Sequence, residues 1–328
     1  MVRLTGETMG TGWSAQVVVP RGLNDRQPSP PFVSSEVETR ASGEPLDTNA
    51  GLGGALRDTL AQMIAAMSQW EPTSALSRFN RCPIGEWQDI PDTLATVLSA
   101  ALAMRAKSDG AFDPATGALA DLWGFGPPGA RKGLPSAADV TAALASGDAD
   151  AIEIDGLRAR RTRDIRLDLS GIGKGHAVDA LAATCQELGS NDFLVEIGGE
   201  FVGSGIQPNG QPWWVDLEPP PGLSPRPLRI AMHGVAVATS GNYRRFVAAD
   251  GRTLGHTIDP RTGWPVDNGV VSVSVIASDC MTADGWATAL TVLGCEAGMA
   301  LADREELAVR MVMADGTDAV SEALRAMF

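Results

Sequence analysis

The sequence predicts an α+β fold, because strand-rich and helix-rich stretches mix without regular βαβ alternation. Three observations carry this. Apolar residues recur at helical spacing at Leu56, Leu60, Met63, Ile64 and Met67, and again at Leu94, Val97, Leu98, Ala101 and Leu102. Short β-rich runs separated by Gly, Pro and Asn fill residues 193–276, and Ala283–Leu293 closes that region with a helical pattern.

Taken in order, the first element is a short β pattern at Thr11–Val19. A polar, Pro- and Ser-rich stretch follows, Arg21–Gly51, whose composition reads as a flexible surface insertion. The two apolar-periodic helices come next, with Pro91 as a first-turn residue of the second. Between them Trp70–Asn80 reads as a loop rich in hydroxyl and polar side chains. An alanine-rich helix follows Pro135. Strand-like runs at Ala151–Ile154 and Leu157–Arg161 flank Asp155-Gly156, a hairpin signal, and another lies at Ile165–Leu169. A helix is expected from Gly175 to Leu188, stopped by Gly189. The β-rich region contains Phe193–Ile197, Trp213–Leu217, Leu228–Met232, Val235–Thr239, Arg244–Val247 and Val270–Ile276. A helix near Glu296–Asp303 and a strand at Leu307–Met313 end the reading, and no internal repeat is apparent.

At 328 residues and 44% hydrophobic, the chain has ample core for one large domain or two intimate ones. Lys plus Arg is 26 and Asp plus Glu is 40, a formal charge of −14. That balance argues against nucleic acid or anionic lipid as a partner, and it requires any bound phosphate to be held by local donors or a metal. Four cysteines stand far apart with no CxxC pair, so neither a zinc cage nor a disulfide framework is indicated. No stretch approaches the ~20 apolar residues of a membrane span. With neither a signal peptide nor a lipid-attachment cysteine in view, the expectation is a cytoplasmic protein, or a periplasmic one if a leader was removed.

Four stretches carry chemistry. In Ala283–Thr288, Asp284 and Thr288 are four apart and share one helix face. A carboxylate beside a hydroxyl is hard-oxygen ligation, suited to magnesium. The spacing also fits an aspartate near a helix N-terminus beside a packed threonine. In DLSGIGKGHAVD (168–179), glycines open a helix whose N–H groups could cradle phosphate, with Lys174 as a cation. A turn requiring positive φ explains the same glycines. In GAFDPATGALADLWGFG (110–126), Phe112, Trp123 and Phe125 could wall a planar ring or fill the core. His256, one of three histidines, sits in HTIDPRTGWP (256–265), a Gly- and Pro-shaped loop, and is an acid–base candidate or a structural residue.

The joint order of these stretches is more specific than any of them. MGTGWS (9–14), SQWEPTSALSRFN (68–80), GAFDPATGAL (110–119), DLSGIGKGHAVD, EIGGE (196–200), VATSGNYRR (237–245), HTIDPRTG (256–263) and ADGWATAL (283–290) together resemble the ApbE family of FAD:protein FMN transferases, over about residues 5–313. The resemblance implies one mixed α+β domain over 1–328, with antiparallel-rich sheets, flanking helices and the insertion at 21–51. It implies FAD as substrate, Mg2+ as cofactor, and an acceptor protein whose Ser or Thr hydroxyl takes FMN while AMP is released. The alternatives are a FAD pyrophosphatase and a non-catalytic FAD-binding protein. Position by position, it implies Asp284, Thr288 and the Gly171 carbonyl as metal ligands. Met9, Trp70, Ala111, Phe112, Asp113, Asp168 and Lys174 would line the FAD site, Trp70 against the isoalloxazine and Asp168 near the adenosine. His256 would be the proton-transfer residue. This chain departs from the pattern at Ala287, where some members carry a second carboxylate, at Gly255, which replaces the first of a histidine pair, and at Asn242, where Asp is common.

Overall fold

Alternating burial builds the first hairpin. Strand β1 (Val2–Thr8) and strand β2 (Thr11–Val17) pair antiparallel, with Trp13, Ala15 and Val17 turned into the core. The computed structural model describes residues 1–19, 50–131, 133–243, 245–249 and 252–328. The expected insertion over 21–51 therefore falls, save for its last two residues, outside the described residues. The chain resumes in helix α1 (Ala50–Met67), α2 (Ala75–Phe79), strand β3 (Gln88–Asp89), α3 (Asp92–Lys107), α4 (Gly117–Trp123) and α5 (Ala137–Ala145). Then come β4 (Ile152–Asp155), β5 (Arg158–Arg161), α6 (Gly173–Glu187), β6 (Phe193–Ile197), β7 (Glu200–Ser204), β8 (Trp213–Asp216), β9 (Arg229–Met232) and β10 (Val235–Gly241). The last elements are β11 (Phe246–Ala249), β12 (Arg252–Gly255), β13 (Val270–Ala277), α7 (Cys280–Leu293), α8 (Cys295–Arg304), β14 (Ala308–Met313), β15 (Asp318–Val320) and α9 (Glu322–Arg325).

The strands form an eight-stranded sheet in the order β1-β2-β6-β7-β10-β13-β14-β15, and every neighbouring pair is antiparallel. Helices α6 and α7 pack together beside its middle strands, and α1 lies on α6. This is the α+β class that the sequence predicts. The apolar periodicities explain the packing: Leu56, Leu94, Val97, Leu98, Val178 and Leu181 are fully buried in the principal core, each contributing about 1.5–3 kcal/mol relative to exposure.

Several boundaries differ from the sequence reading. Ile165–Leu169 is extended but joins no sheet; the Asn80 amide stands in for a neighbouring strand, donating to the Leu167 carbonyl at 2.9 Å and accepting its N–H at 2.8 Å. Residues 75–79, read as loop, form α2 because Ser74 caps it, accepting from the Ser77 N–H at 2.9 Å. Helix α7 begins at Cys280, three residues before the expected start, because its first N–H groups are taken by two carboxylates. Asp179 of α6 accepts from Cys280 and Met281, each at 2.8 Å, and Asp279 accepts from Thr282 at 2.8 Å. Strands β1, β3, β7, β12 and β15 had no counterpart in the sequence reading.

Candidate active site

The extended segment before α6 delivers the glycine loop. Asp168 donates its N–H to the Pro114 carbonyl at 2.8 Å, and its carboxylate accepts from the Ser170 N–H at 2.7 Å, turning the chain into α6. The loop then lies directly against α7. A Cβ on Gly171 would sit 2.9 Å from Thr288 Oγ1, and one on Gly175 would sit 2.2 Å from the Cys280 carbonyl oxygen. Glycine is required at both positions for close approach. That approach lets the Gly175 N–H donate to Asp284 Oδ2 at 2.9 Å, and the Thr288 hydroxyl donate to the Gly171 carbonyl at 3.3 Å. Ser240 Oγ, at the end of β10, stands 3.4 Å from Thr288 Oγ1.

The charges in this corner are few and buried. Asp284 is 3% exposed. Burial pushes its carboxyl above the usual range, opposed by the Lys174 ammonium and the Gly175 N–H. Lys174 forms an ion pair with Glu200, which is 1% exposed. Burial works against the charged lysine, but the Glu200 and Asp284 carboxylates outweigh it and hold its pKa above the ordinary value. Glu200 is itself pushed up by burial, and its Oε2 is buried with no hydrogen-bond partner.

No group of three His, Cys, Asp or Glu side chains is spaced to hold a metal among the described residues. The corner instead offers one carboxylate, one hydroxyl and one carbonyl, with a buried unpartnered carboxylate oxygen nearby. Those donors fit a hard divalent cation that keeps several positions for water or phosphate oxygen; they lack the histidine nitrogen and cysteine sulfur that dominate zinc sites.

A cavity of about 360 Å³ opens from this corner. Its walls bring together Met9, Ala111, Phe112, Asp113, Asp168, Gly171, Lys174, His256, Asp284 and Thr288. Met9 and Gly10 form the β1–β2 turn, both at positive φ, 49° and 75°. A methionine held in the left-handed region is uncommon, and here that conformation sets Met9 at the cavity wall. Asp113 is fixed by Arg105 Nε at 2.6 Å and by the Ala115 N–H at 2.7 Å. Trp70 is not on the wall: it is 50% exposed, with the Arg245 guanidinium 5.8 Å from its ring centre. Arg245 itself does line the cavity. Phe112 and Phe125 do so as well, whereas Trp123 is buried in a satellite core with Leu119, Val140 and Ile258, and donates from Nε1 to the Gly263 carbonyl at 2.8 Å.

His256 follows β12, its N–H donating to the Arg245 carbonyl at 3.1 Å and its ring edge-on to Phe125. Its Nδ1 is buried and has no hydrogen-bond partner. Burial, aided by the Arg245 charge, pushes its pKa down to about 4, so the imidazole is neutral at pH 7. A neutral ring with a vacant lone pair has the form that a proton acceptor needs.

Sequence reasoning assigned no role to Glu200, Arg245 or Ser240. For Glu200 a signal existed: a glutamate entering a strand directly after Gly198-Gly199, in a run that is otherwise apolar. Ser240 and Arg245 lie in the VATSGNYRR stretch (237–245), but their contacts with Thr288 and with the cavity depend on the tertiary fold.

Residues 9–313 match the ApbE family. The FAD:protein FMN transferase of Salmonella typhimurium is 33% identical over 320 residues, covering 95% of this chain and 84% of that protein. The FAD:protein FMN transferase of Vibrio cholerae is 33% identical over 315 residues, covering 95% of this chain and 87% of that one. Among solved structures, the apo form of the Pseudomonas stutzeri flavinyl transferase ApbE superposes with a TM-score of 0.85 at 33% identity, covering 100% of this chain and 96% of the other.

Proposed function

The chain belongs to the ApbE family, and from that premise we propose that it transfers FMN from FAD to a Ser or Thr hydroxyl of an acceptor protein, with magnesium as cofactor. The observation that supports this most directly is the corner where Gly175 and Gly171 hold Asp284 and Thr288 against the mouth of α6, with His256 on the same cavity wall. FAD occupies the cavity in this reading, between Met9, the Ala111–Asp113 wall and the glycine loop.

Asp284, Thr288 and the Gly171 carbonyl would hold magnesium, which supplies positive charge for the pyrophosphate oxygens. Lys174, kept charged by Glu200 and Asp284, offers a second cation to the same anion. Asp168 and Asp113 are pinned by backbone and Arg105 contacts, so they orient polar groups of the substrate without themselves moving. The acceptor oxygen attacks the FMN-side phosphorus, a P–O bond forms, and the anhydride P–O bond breaks with its electron pair leaving on AMP. His256, on the cavity wall, takes the hydroxyl proton on its neutral imidazole. With water in place of the hydroxyl, the same steps hydrolyse FAD to FMN and AMP.

The test is incubation with FAD and magnesium, following AMP release and covalent flavin on added hydroxyl-bearing peptide or protein. A chain that binds FAD but releases no AMP under any of these conditions refutes the reading.

A further inference from the structure

The cavity wall that carries His256 also carries four carboxylates, Asp113, Asp168, Glu200 and Asp284, against two cations, Lys174 and Arg245. A pyrophosphate entering such a cavity needs every positive charge it can reach. Lys174 is already paired with Glu200, and Arg105, which reaches Asp113 from behind the wall, is taken by that carboxylate. Arg245 is placed differently. Its side chain is exposed, and among the described residues it rests on neutral groups. Nη2 donates to the Phe125 carbonyl at 3.3 Å, and the guanidinium carbon lies 5.8 Å from the centre of the Trp70 ring. Both distances are at the long end for contacts of their kind, so little holds the group where it is.

The backbone at this position is fixed even though the side chain is not. Strand β10 ends at Gly241, where a Cβ would sit 2.7 Å from Tyr243 Cε1, and β11 begins at Phe246. The Arg245 carbonyl accepts the His256 N–H at 3.1 Å, which ties the arginine to the histidine across the mouth of the β11–β12 hairpin. His256 lies within electrostatic reach of Arg245, Lys174 and Asp168. The phosphorus under attack has to stand beside the hydroxyl whose proton goes to His256, so the pyrophosphate lies where both cations act. We propose that Arg245 is a binding residue for the phosphates of FAD, its guanidinium leaving the Phe125 carbonyl and the Trp70 face to pair with phosphate oxygens. The proposal rests on the flavin-transfer reading.

The exchange is favoured because it trades neutral acceptors for an ionised one, and hydrogen bonds to ionised groups are roughly twice as strong as neutral pairs. The two cations then do different work. Lys174 supplies a point charge from α6, whereas the planar fork of Arg245 can give parallel N–H bonds to two oxygens of one phosphate. When the anhydride P–O bond breaks, its electron pair passes to the oxygen that leaves with AMP. Negative charge grows on the phosphate oxygens through that step, so a cation already on them gains strength as the bond parts.

The experiment titrates the full chain with FAD in the presence of magnesium, following flavin fluorescence before turnover. Arg245→Met removes the charge and keeps an apolar stem, and Arg245→Lys keeps the charge without the fork. Each is measured at about 0.01 M and about 1 M salt, where charges are felt over roughly 30 Å and 3 Å respectively. At low salt Arg245→Met should bind FAD roughly ten-fold more weakly than the wild type, the scale of one lost charged contact. That gap should close to about two-fold at high salt, and Arg245→Lys should recover most of it at low salt, because the missing interaction is one of charge. The melting temperature without FAD should stay at the wild-type value for both. Wild-type affinity of Arg245→Met at low salt overturns the proposal. A loss of equal size at both salt concentrations also overturns it, by assigning the effect to packing of the side chain. A wild type that binds FAD with the expected salt dependence but releases no AMP is a different failure: it removes the flavin-transfer reading and leaves the phosphate contact standing.

Discussion

The backbone N–H of Gly175 donates to Asp284 Oδ2 at 2.9 Å, joining the first turn of α6 to the second turn of α7. Asp284 is thereby held in one orientation by a group that cannot rotate away. The bond is possible only because residue 175 has no side chain, since a Cβ would meet the Cys280 carbonyl at 2.2 Å.

Gly175→Ala should therefore force α6 and α7 apart. The expected cost is about 1–3 kcal/mol, the usual range for overpacking, measured by chemical denaturation. Magnesium-dependent AMP release should fall further than stability, because the displaced Asp284 loses its orientation. An alanine variant with wild-type stability would mean that the helices separate freely.

Asp284→Ala removes the one carboxylate in the proposed ligand set. AMP release should drop by roughly 10²-fold or more, the scale on which single charge-stabilising groups act, and calorimetric magnesium binding should weaken in parallel. Thr288→Val should lose less, since a neutral hydroxyl contributes less to a hard cation. Unchanged activity of Asp284→Ala at limiting magnesium removes the metal assignment.

His256→Asn should leave FAD affinity and melting temperature nearly intact while turnover falls by roughly 10²–10⁴. The position of the acid limb adds a sharper test. With its pKa pushed down to about 4 by burial and Arg245, His256 is neutral and able to accept a proton throughout neutral pH. In the wild type kcat/KM should rise with pH through about 4 and then level off, rather than rising through the ordinary histidine range near 6.5. The variant should lack that limb. A limb that survives in His256→Asn belongs to another group.

Lys174→Met leaves Glu200 as a carboxylate buried without its cation. Removing one partner of a buried pair costs roughly 3–5 kcal/mol; here the low end is expected, because a third of the lysine side chain, 33%, remains exposed. Glu200 can escape by protonating, so the loss should be large at high pH and shrink as pH falls. Adding Glu200→Gln should restore most of the stability at pH 8. Equal loss at every pH would assign the effect to packing of the lysine stem.

Asp179 gives stability its own pH signature. Burial raises its pKa from 3.8 to about 6, although the Cys280 and Met281 N–H groups pull it down. The folded chain thus holds this proton more tightly than the unfolded chain does. The contribution is fully present below about 4 and is lost as pH rises through about 6. Measured against Asp179→Asn, which lacks the titration, the wild type should lose relative melting temperature between those limits and stay level above them.

The periodic helices were legible in the sequence because their apolar spacing is a local property: Leu56, Leu60, Met63 and Met67 in α1 and Leu94, Val97, Leu98 and Ala101 in α3 are buried where the pattern put them, while Ile64 and Leu102 are half-buried. The α+β class followed from the same kind of evidence. Ile165–Leu169 was misread because an apolar extended run looks like a strand even when an asparagine side chain takes the place of the ladder. The start of α7 at Cys280 had a visible signal in Asp279, an N-cap residue, but two of the three capped N–H groups are taken by Asp179, a hundred positions away in sequence. Trp70 stands beside the cavity rather than on its wall, its motif intact and its indole against Arg245. Glu200 carried a local signal in the glycine pair before it, but its partner Lys174 lies on another element, and only the folded chain brings the two together.

The bond between Gly175 and Asp284 spans 109 positions, and that between Gly171 and Thr288 spans 117. Their late partners lie in α7, and the strand that follows it, β14, is the neighbour of β13 in the sheet. Contacts of such long separation form only after the loop between them has closed. A ribosome-bound fragment ending before α7 would contain the whole glycine loop and His256, yet neither Asp284 nor Thr288. Under the proposed roles, the metal corner could assemble only once α7 had been synthesised, and a chain interrupted before it would lack that corner.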